Sequence, residues 1–186
     1  MKTSLRRFDA CWIDNSKWQL HSELTYIRTT PEKLWEALTN GDFTEKYWFG
    51  FRLELEPRTG GIVRFVPPKG SPKRMDPGQV LEFDPCNTLS YSWVPDHGYG
   101  PEFDKKRNGP TRVTFELTPV GQNVRLRVIH ENLVPEDSEP NPNTLKGINN
   151  GWPAVMSSLK SLLETGEAIS MALPPAQSKS DLTVVA

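Results

Sequence analysis

The chain has 186 residues, 36% of them hydrophobic and 24% charged, with a formal net charge of −1. Six tryptophans, eight phenylalanines and four tyrosines on a weakly charged chain can bury a core, which excludes a disordered polymer. The missing basic excess argues against nucleic-acid binding, and no apolar run approaches the roughly 18–20 residues of a membrane span.

Residues 1–20 read as an N-terminal extension carrying Trp12 and Trp18. Its basic residues are followed by Asp9, Asp14 and Asn15-Ser16-Lys17 rather than by an apolar stretch, so no secretory signal is read there. Cys11 and Cys86 stand alone, without metal-ligand spacing, and the expected setting is a reduced cytoplasm.

Along the chain, His21–Arg28 reads as a strand with one wet face, Leu24 and Tyr26 alternating with polar neighbours. Thr30 and Pro31 then start a short helix, which Asn40-Gly41 ends. A second helical turn spans Asp42–Trp48, with Asp42 as its expected cap. Period-two alternation follows over Phe51–Leu55, a Gly60-Gly61 turn, and Ile62–Val66 with Val63 and Phe65 inward. Further strands are predicted at Gly78–Phe83, Leu89–Val94, Val113–Leu117 and Val124–Ile129, joined mostly by short links that favour an antiparallel meander. The long join is Pro95–Pro110. Leu145, Ile148, Trp152, Val155, Met156, Leu159, Leu162 and Leu163 step at three or four, which predicts a long amphipathic helix. Pro153 suggests that the regular helix starts there, after a kinked segment at Leu145–Asn150. Residues 169–186 lack a core pattern and are expected to form a disordered tail.

Seven segments in order carry a family resemblance: Thr30 to Thr39 (TPEKLWEALT), Tyr47-Trp48, Glu56 to Gly61 (EPRTGG), Gly78 to Pro85 (GQVLEFDP), Leu89 to Trp93 (LSYSW), Arg125 to Glu131 (RLRVIHE), and Gly151-Trp152-Pro153 with Leu159 to Glu164. Over roughly residues 22–166 the chain resembles the bacterial family similar to the carboxy-terminal domain of the activator of the heat-shock-protein-90 ATPase (AHSA-type). That family lies within the START-like (SRPBCC) superfamily of the birch-pollen allergen, lipid-transfer domains and aromatic polyketide cyclases. The resemblance implies an α+β helix-grip fold over residues 21–168. In it, a curved antiparallel sheet of six to seven strands wraps a long C-terminal helix, with two short helices after the first strand and a cavity between sheet and helix. It implies no reaction, because function in such a fold is argued from the site.

Strand parity sets Leu89, Tyr91 and Trp93 on one face, as it does Val113, Phe115 and Leu117, and Val124, Leu126, Val128 and His130. If these faces meet the helix, the cavity wall combines Tyr91, Trp93, Phe115, Val128, His130, Trp152 and Met156. Its mouth would lie near Trp35, Trp48 and the loop holding Asp96, His97 and Tyr99. An aromatic lining with few polar groups suits a small hydrophobic molecule; the same rings can equally fill a core. His130 and Tyr91 are the candidates for acid–base chemistry, and Glu131, as the next residue in a strand, faces away from His130. His21, His97 and His130 are not spaced as a metal pair, so neither metal nor cofactor is expected. Lys69, Lys73, Arg74 and Lys105, Lys106, Arg107 read as solvated loop tips.

Three functions follow from these features. The first is binding of a hydrophobic or aromatic small molecule or lipid without catalysis. The second is a cyclase, dehydratase or hydrolase using His130 or Tyr91. The third is a stress-response co-chaperone that stimulates a chaperone ATPase, weakened because the eukaryotic activator has a separate amino-terminal domain that twenty residues do not replace. Exposed strand edges also allow a homodimer.

Overall fold

The computed structural model describes residues 19–71, 77–93 and 109–169. The chain runs β1 (Gln19–Ile27), α1 (Pro31–Thr39), α2 (Gly41–Tyr47), β2 (Arg52–Leu55), β3 (Ile62–Val66), β4 (Gly78–Asp84), β5 (Thr88–Trp93), β6 (Thr111–Val120), β7 (Asn123–Leu133) and α3 (Ile148–Thr165). The expected residues Cys11, Trp12, Trp18, Lys73, Arg74, Asp96, His97, Tyr99, Lys105, Lys106 and Arg107, and the tail from 170, lie outside the described residues.

The strands form one antiparallel sheet in the order β1-β7-β6-β5-β4-β3-β2. β2 to β7 are a meander, and β1 returns to pair with β7, so the first and last strands meet. α3 packs on the concave face through Ile148, Trp152, Val155, Met156 and Leu159, all buried at helical spacing. This is the helix-grip arrangement that the family resemblance implies.

Local chemistry explains the element ends. The Thr30 side chain accepts the Lys33 N–H at 3.3 Å and Pro31 occupies the first turn of α1. For α2 the cap is Asn40 rather than Asp42: the Asn40 Oδ1 accepts the Asp42 N–H at 2.9 Å, and the helix begins one residue early, at Gly41. In β4 a register shift between Val80 and Glu82 re-phases the strand, which lets Val80 and Phe83, three apart, both reach the core. Pro119 lies inside β6 rather than in the join. It sits opposite Val124, next to the Val120–Asn123 pair that closes the hairpin, so its absent N–H falls on the side away from β7.

Two further sequence expectations are corrected. Leu24 and Tyr26 are each 50% exposed, and the inward residues of β1 are Glu23, Thr25 and Ile27. The register decides this, because Thr25 and Ile27 lie opposite Leu126 and Val124, whose side chains face α3. The helix α3 starts at Ile148, not Pro153, and Leu145 stands outside it, exposed. The first turn is held from outside the helix. The Asn149 Oδ1 accepts the Glu139 N–H at 2.9 Å, and the Asn149 and Asn150 side-chain amides donate to the Glu139 and Asn141 carbonyls at 2.9 and 3.0 Å. Gly147 precedes it at φ +75°, where a Cβ would come within 2.5 Å of the Glu139 nitrogen.

Both sheet edges are partly closed by helices. On β2, the Leu53 N–H donates to the buried Thr44 hydroxyl of α2 at 2.8 Å. At the end of β1, Lys160 of α3 donates to the Tyr26 carbonyl at 2.5 Å, and Glu164 accepts both the Lys160 ammonium at 2.6 Å and the Arg28 N–H at 2.8 Å. These bonds, the Arg28 amide first, hold the Glu164 carboxyl below its ordinary range. A carboxylate depressed on folding contributes stability above its unfolded pKa and loses it as pH falls through the folded one. Glu164→Gln is therefore expected to cost about 1 kcal/mol at pH 7, a fall of roughly 2–4 °C in Tm. The difference from wild type should shrink as the pH is lowered below the carboxylate range, as measured by thermal melts across pH.

Candidate functional site

The core between sheet and helix is divided along its length. At the end near Ile27 lie the buried aliphatic side chains of Leu117, Val124, Leu126 and Leu159. At the end where β5 finishes and α3 begins it is aromatic. Trp93 lies between two parallel partners, with Phe65 at 5.1 Å and 12° and His130 at 5.3 Å and 8°. Trp48 and Trp152 meet the Trp93 ring edge-on at 6.1 and 5.9 Å and each other at 5.4 Å. Tyr91 touches Phe65 and Phe115 at 5.9 and 6.0 Å, and Phe115 reaches Trp152 at 5.8 Å.

Of the nine residues expected to line a cavity, the structure thus joins Trp48, Tyr91, Trp93, Phe115, His130 and Trp152 in one network of ring contacts. Val128 and Met156 are buried in the same core. Trp35 is set apart: it packs edge-on against Phe83 at 5.2 Å. Phe65 is a member that parity placed inward but did not place beside Trp93. β4 lies between their strands, and at this end it carries Gly78, which puts no side chain between the rings. A Cβ on Gly78 would come within 2.0 Å of the Ser92 carbonyl oxygen, so glycine also lets β4 approach β5 closely.

The two acid–base candidates are both immersed. His130 is 1% exposed, and its Nδ1 accepts the Trp152 indole N–H at 3.1 Å. Because an indole can only donate, the neutral imidazole carries its proton on Nε2. Glu131 lies on the opposite face near Arg112, at 3.9 Å, as alternation requires. Tyr91 is fully buried, and desolvation, with the Tyr47 phenol as a lesser cause, pushes its pKa well above the ordinary value. The Tyr91 phenol therefore stays protonated and acts as a donor. Its Oη and the buried Nε1 of Trp93 have no hydrogen-bond partner among the described residues. Burial pushes the Cys86 thiol up, with Glu32 and Asp84 adding to the effect. Among the described residues no cluster of three or more His, Cys, Asp or Glu side chains is placed to hold a metal, and no helix is long and apolar enough to cross a membrane.

With this geometry in place, comparison with known proteins decides the family. Residues 28–164 match the model of the family described as Activator of Hsp90 ATPase homolog 1-like protein. The chain belongs to this family. Among solved structures, a protein of Mesorhizobium loti is similar, at 27% identity over 78% of this chain and 96% of its own, with a TM-score of 0.59. The Aha1 dimer from Colwellia psychrerythraea is 23% identical over 81% of this chain and 99% of its own, with a TM-score of 0.57. A conserved protein of unknown function from Enterococcus faecalis is 18% identical, covering 86% and 79%, with a TM-score of 0.60. The last two show likeness of fold alone. No curated protein matches the chain.

The two polar features of the network predict opposite responses to truncation. A buried donor without a partner costs roughly 1–3 kcal/mol, so Tyr91→Phe is expected to raise the stability of the ligand-free protein by about 1 kcal/mol. Trp152→Phe leaves the His130 Nδ1 without its donor and a void beside the helix, and is expected to cost about 2–4 kcal/mol. Urea denaturation of the two variants checks both signs.

Proposed function

We propose that this protein binds a hydrophobic or aromatic small molecule at the aromatic end of the space between sheet and C-terminal helix, without needing catalysis. The observation that carries this reading is the segregation of seven rings, Trp48, Phe65, Tyr91, Trp93, Phe115, His130 and Trp152, at one end of the core. Aromatic side chains also fill cores, but ligand sites gather them with a few polar atoms among them, as the Tyr91 hydroxyl and the Trp93 indole N–H are here. Trp93 is the partly exposed member and stands at the rim through which a molecule would arrive.

Tryptophan emission reports directly on such a ligand, since three indoles of the network would feel it. Titration with flat apolar compounds is expected to change that emission saturably and to raise Tm. A broad panel giving neither effect would overturn the reading, as would stimulation of a chaperone ATPase by a form that binds nothing.

A second copy of this chain is the further partner we propose, supported by the exposed outer face of edge strand β1. Leu20, Leu24 and Tyr26 there are 59%, 50% and 50% exposed. By alternation the N–H and C=O groups of Ser22 and Leu24 project to the side away from β7, where Lys160 of α3 already takes the Tyr26 carbonyl. A similar fold from Colwellia is described as a dimer. Two β1 strands pairing antiparallel across a two-fold axis would cover these stripes. Light scattering is then expected to give twice the 21.1 kDa chain mass, and Leu24→Lys to return it to one chain. A wild-type monomer at high micromolar concentration would refute this pairing.

A further inference from the structure

The ligand reading leaves the chemical class of the molecule open, and the polar atoms of β5 narrow it. Tyr91 and Trp93 are two residues apart on the inner face of one strand, and their rings share contact with Phe65. The Tyr91 Oη and the Trp93 Nε1 are both buried and both without a hydrogen-bond partner among the described residues. Buried tyrosine and tryptophan polar atoms ordinarily find one. Beside them, the His130 Nδ1 is satisfied from α3.

Both orphaned groups can donate. An indole N–H can only donate, and a phenol this deeply buried keeps its proton. They call for an acceptor. The surroundings then decide its charge. No lysine or arginine is buried among the described residues, and an anion brought into an aromatic interior without a cation loses far more hydration than two neutral donors return. A ligand amine could satisfy only the phenol oxygen and would leave the indole N–H, which can only donate, without an acceptor.

We propose that Tyr91 and Trp93 form a carbonyl-recognising pair, and that the ligand is a neutral, flat, apolar molecule bearing a ketone, ester or quinone-type oxygen. The pair is built into β5, whose inner face is otherwise apolar at Leu89, so it orients the oxygen toward the sheet while the body of the molecule lies against the rings of Trp48, Phe65 and Trp152. This deepens the small-molecule reading above and rests on it.

Three compounds of matched shape separate the two claims: 2-acetylnaphthalene, 2-ethylnaphthalene and 2-naphthoate. Affinity is read by ligand-observed NMR, and the tryptophan indole N–H signals by protein NMR, with Trp93→Phe assigning the Trp93 signal. The expected result is that the ketone binds at least about tenfold tighter than the hydrocarbon, a difference of about 1.4 kcal/mol, and that the carboxylate binds weakest. The Trp93 indole proton should move downfield with the ketone alone. In Tyr91→Phe, whose fold loses only a hydroxyl, the preference for the ketone should fall severalfold while hydrocarbon affinity is kept. Equal binding of ketone and hydrocarbon, or a preference that survives in Tyr91→Phe, overturns the carbonyl pair but leaves small-molecule binding standing. A carboxylate that binds tightest overturns the neutral ligand. Binding of none of the three overturns the carbonyl pair, and the broader apolar panel then decides the reading beneath it.

Discussion

The indole N–H of Trp152 reaching the Nδ1 of His130 joins the long helix to the sheet at the point where both are richest in rings. A helix resting on a curved sheet through aliphatic side chains alone can slide and rotate at little cost, because dispersion is not directional. One hydrogen bond in a buried setting has a direction, and breaking it would leave two polar atoms in a low-dielectric interior. It sets the rotation of α3 about its axis, and with it which residues face the sheet. The parallel stack of His130 on Trp93 and of Trp93 on Phe65 carries that constraint outward across β5 to β3. The opposite end of the helix is tied to β1 by Lys160 and Glu164, so the grip is fixed at two ends by polar contacts with apolar packing between.

A core fixed in this way distributes its polar atoms unevenly. On the outer face, buried or half-buried groups are satisfied within the sheet: the Ser90 and Thr114 hydroxyls are 3.0 Å apart, and Arg112 donates to Ser90 at 2.8 Å. On the inner face, the imidazole Nδ1 has its indole donor, while the Tyr91 hydroxyl and the Trp93 indole N–H have no hydrogen-bond partner among the described residues. Folding stability offers no reason to keep two costly donors in the middle of an aromatic cluster, where Phe would pack as well. If the proposed ligand binds there, these two donors act on it rather than on folding. Family membership does not choose the ligand, since one fold hosts many functions.

Much of the fold was legible in the sequence. Period-two runs, the Gly60-Gly61 turn, Thr30-Pro31 and the apolar steps of the last helix each report a local backbone preference, and local preferences survive into the folded state when no partner overrides them. Misread positions share a cause. Leu24 and Tyr26 look like the buried face of β1, but which face is buried is decided by β7, about a hundred residues away. Pro153 looks like a helix start, yet the turn before it is completed by hydrogen bonds from the 139–141 segment. Trp35 reads as part of a cavity mouth with Trp48, whereas its ring packs on Phe83, in a strand re-phased by a bulge.

By itself, then, the sequence determined the element order, the inward parity of β5, β6 and β7, and the presence of an aromatic-rich interior, because each follows from the spacing of side chains along one stretch of chain. The tertiary structure decided the rest. It set Phe65 beside Trp93 across a glycine, turned Leu24 and Tyr26 outward on an edge, and bonded His130 to Trp152 while leaving Tyr91 and Trp93 without a hydrogen-bond partner among the described residues. Each of these depends on strand register, bulges and helix rotation, which arise between segments far apart in sequence and have no signature within either one.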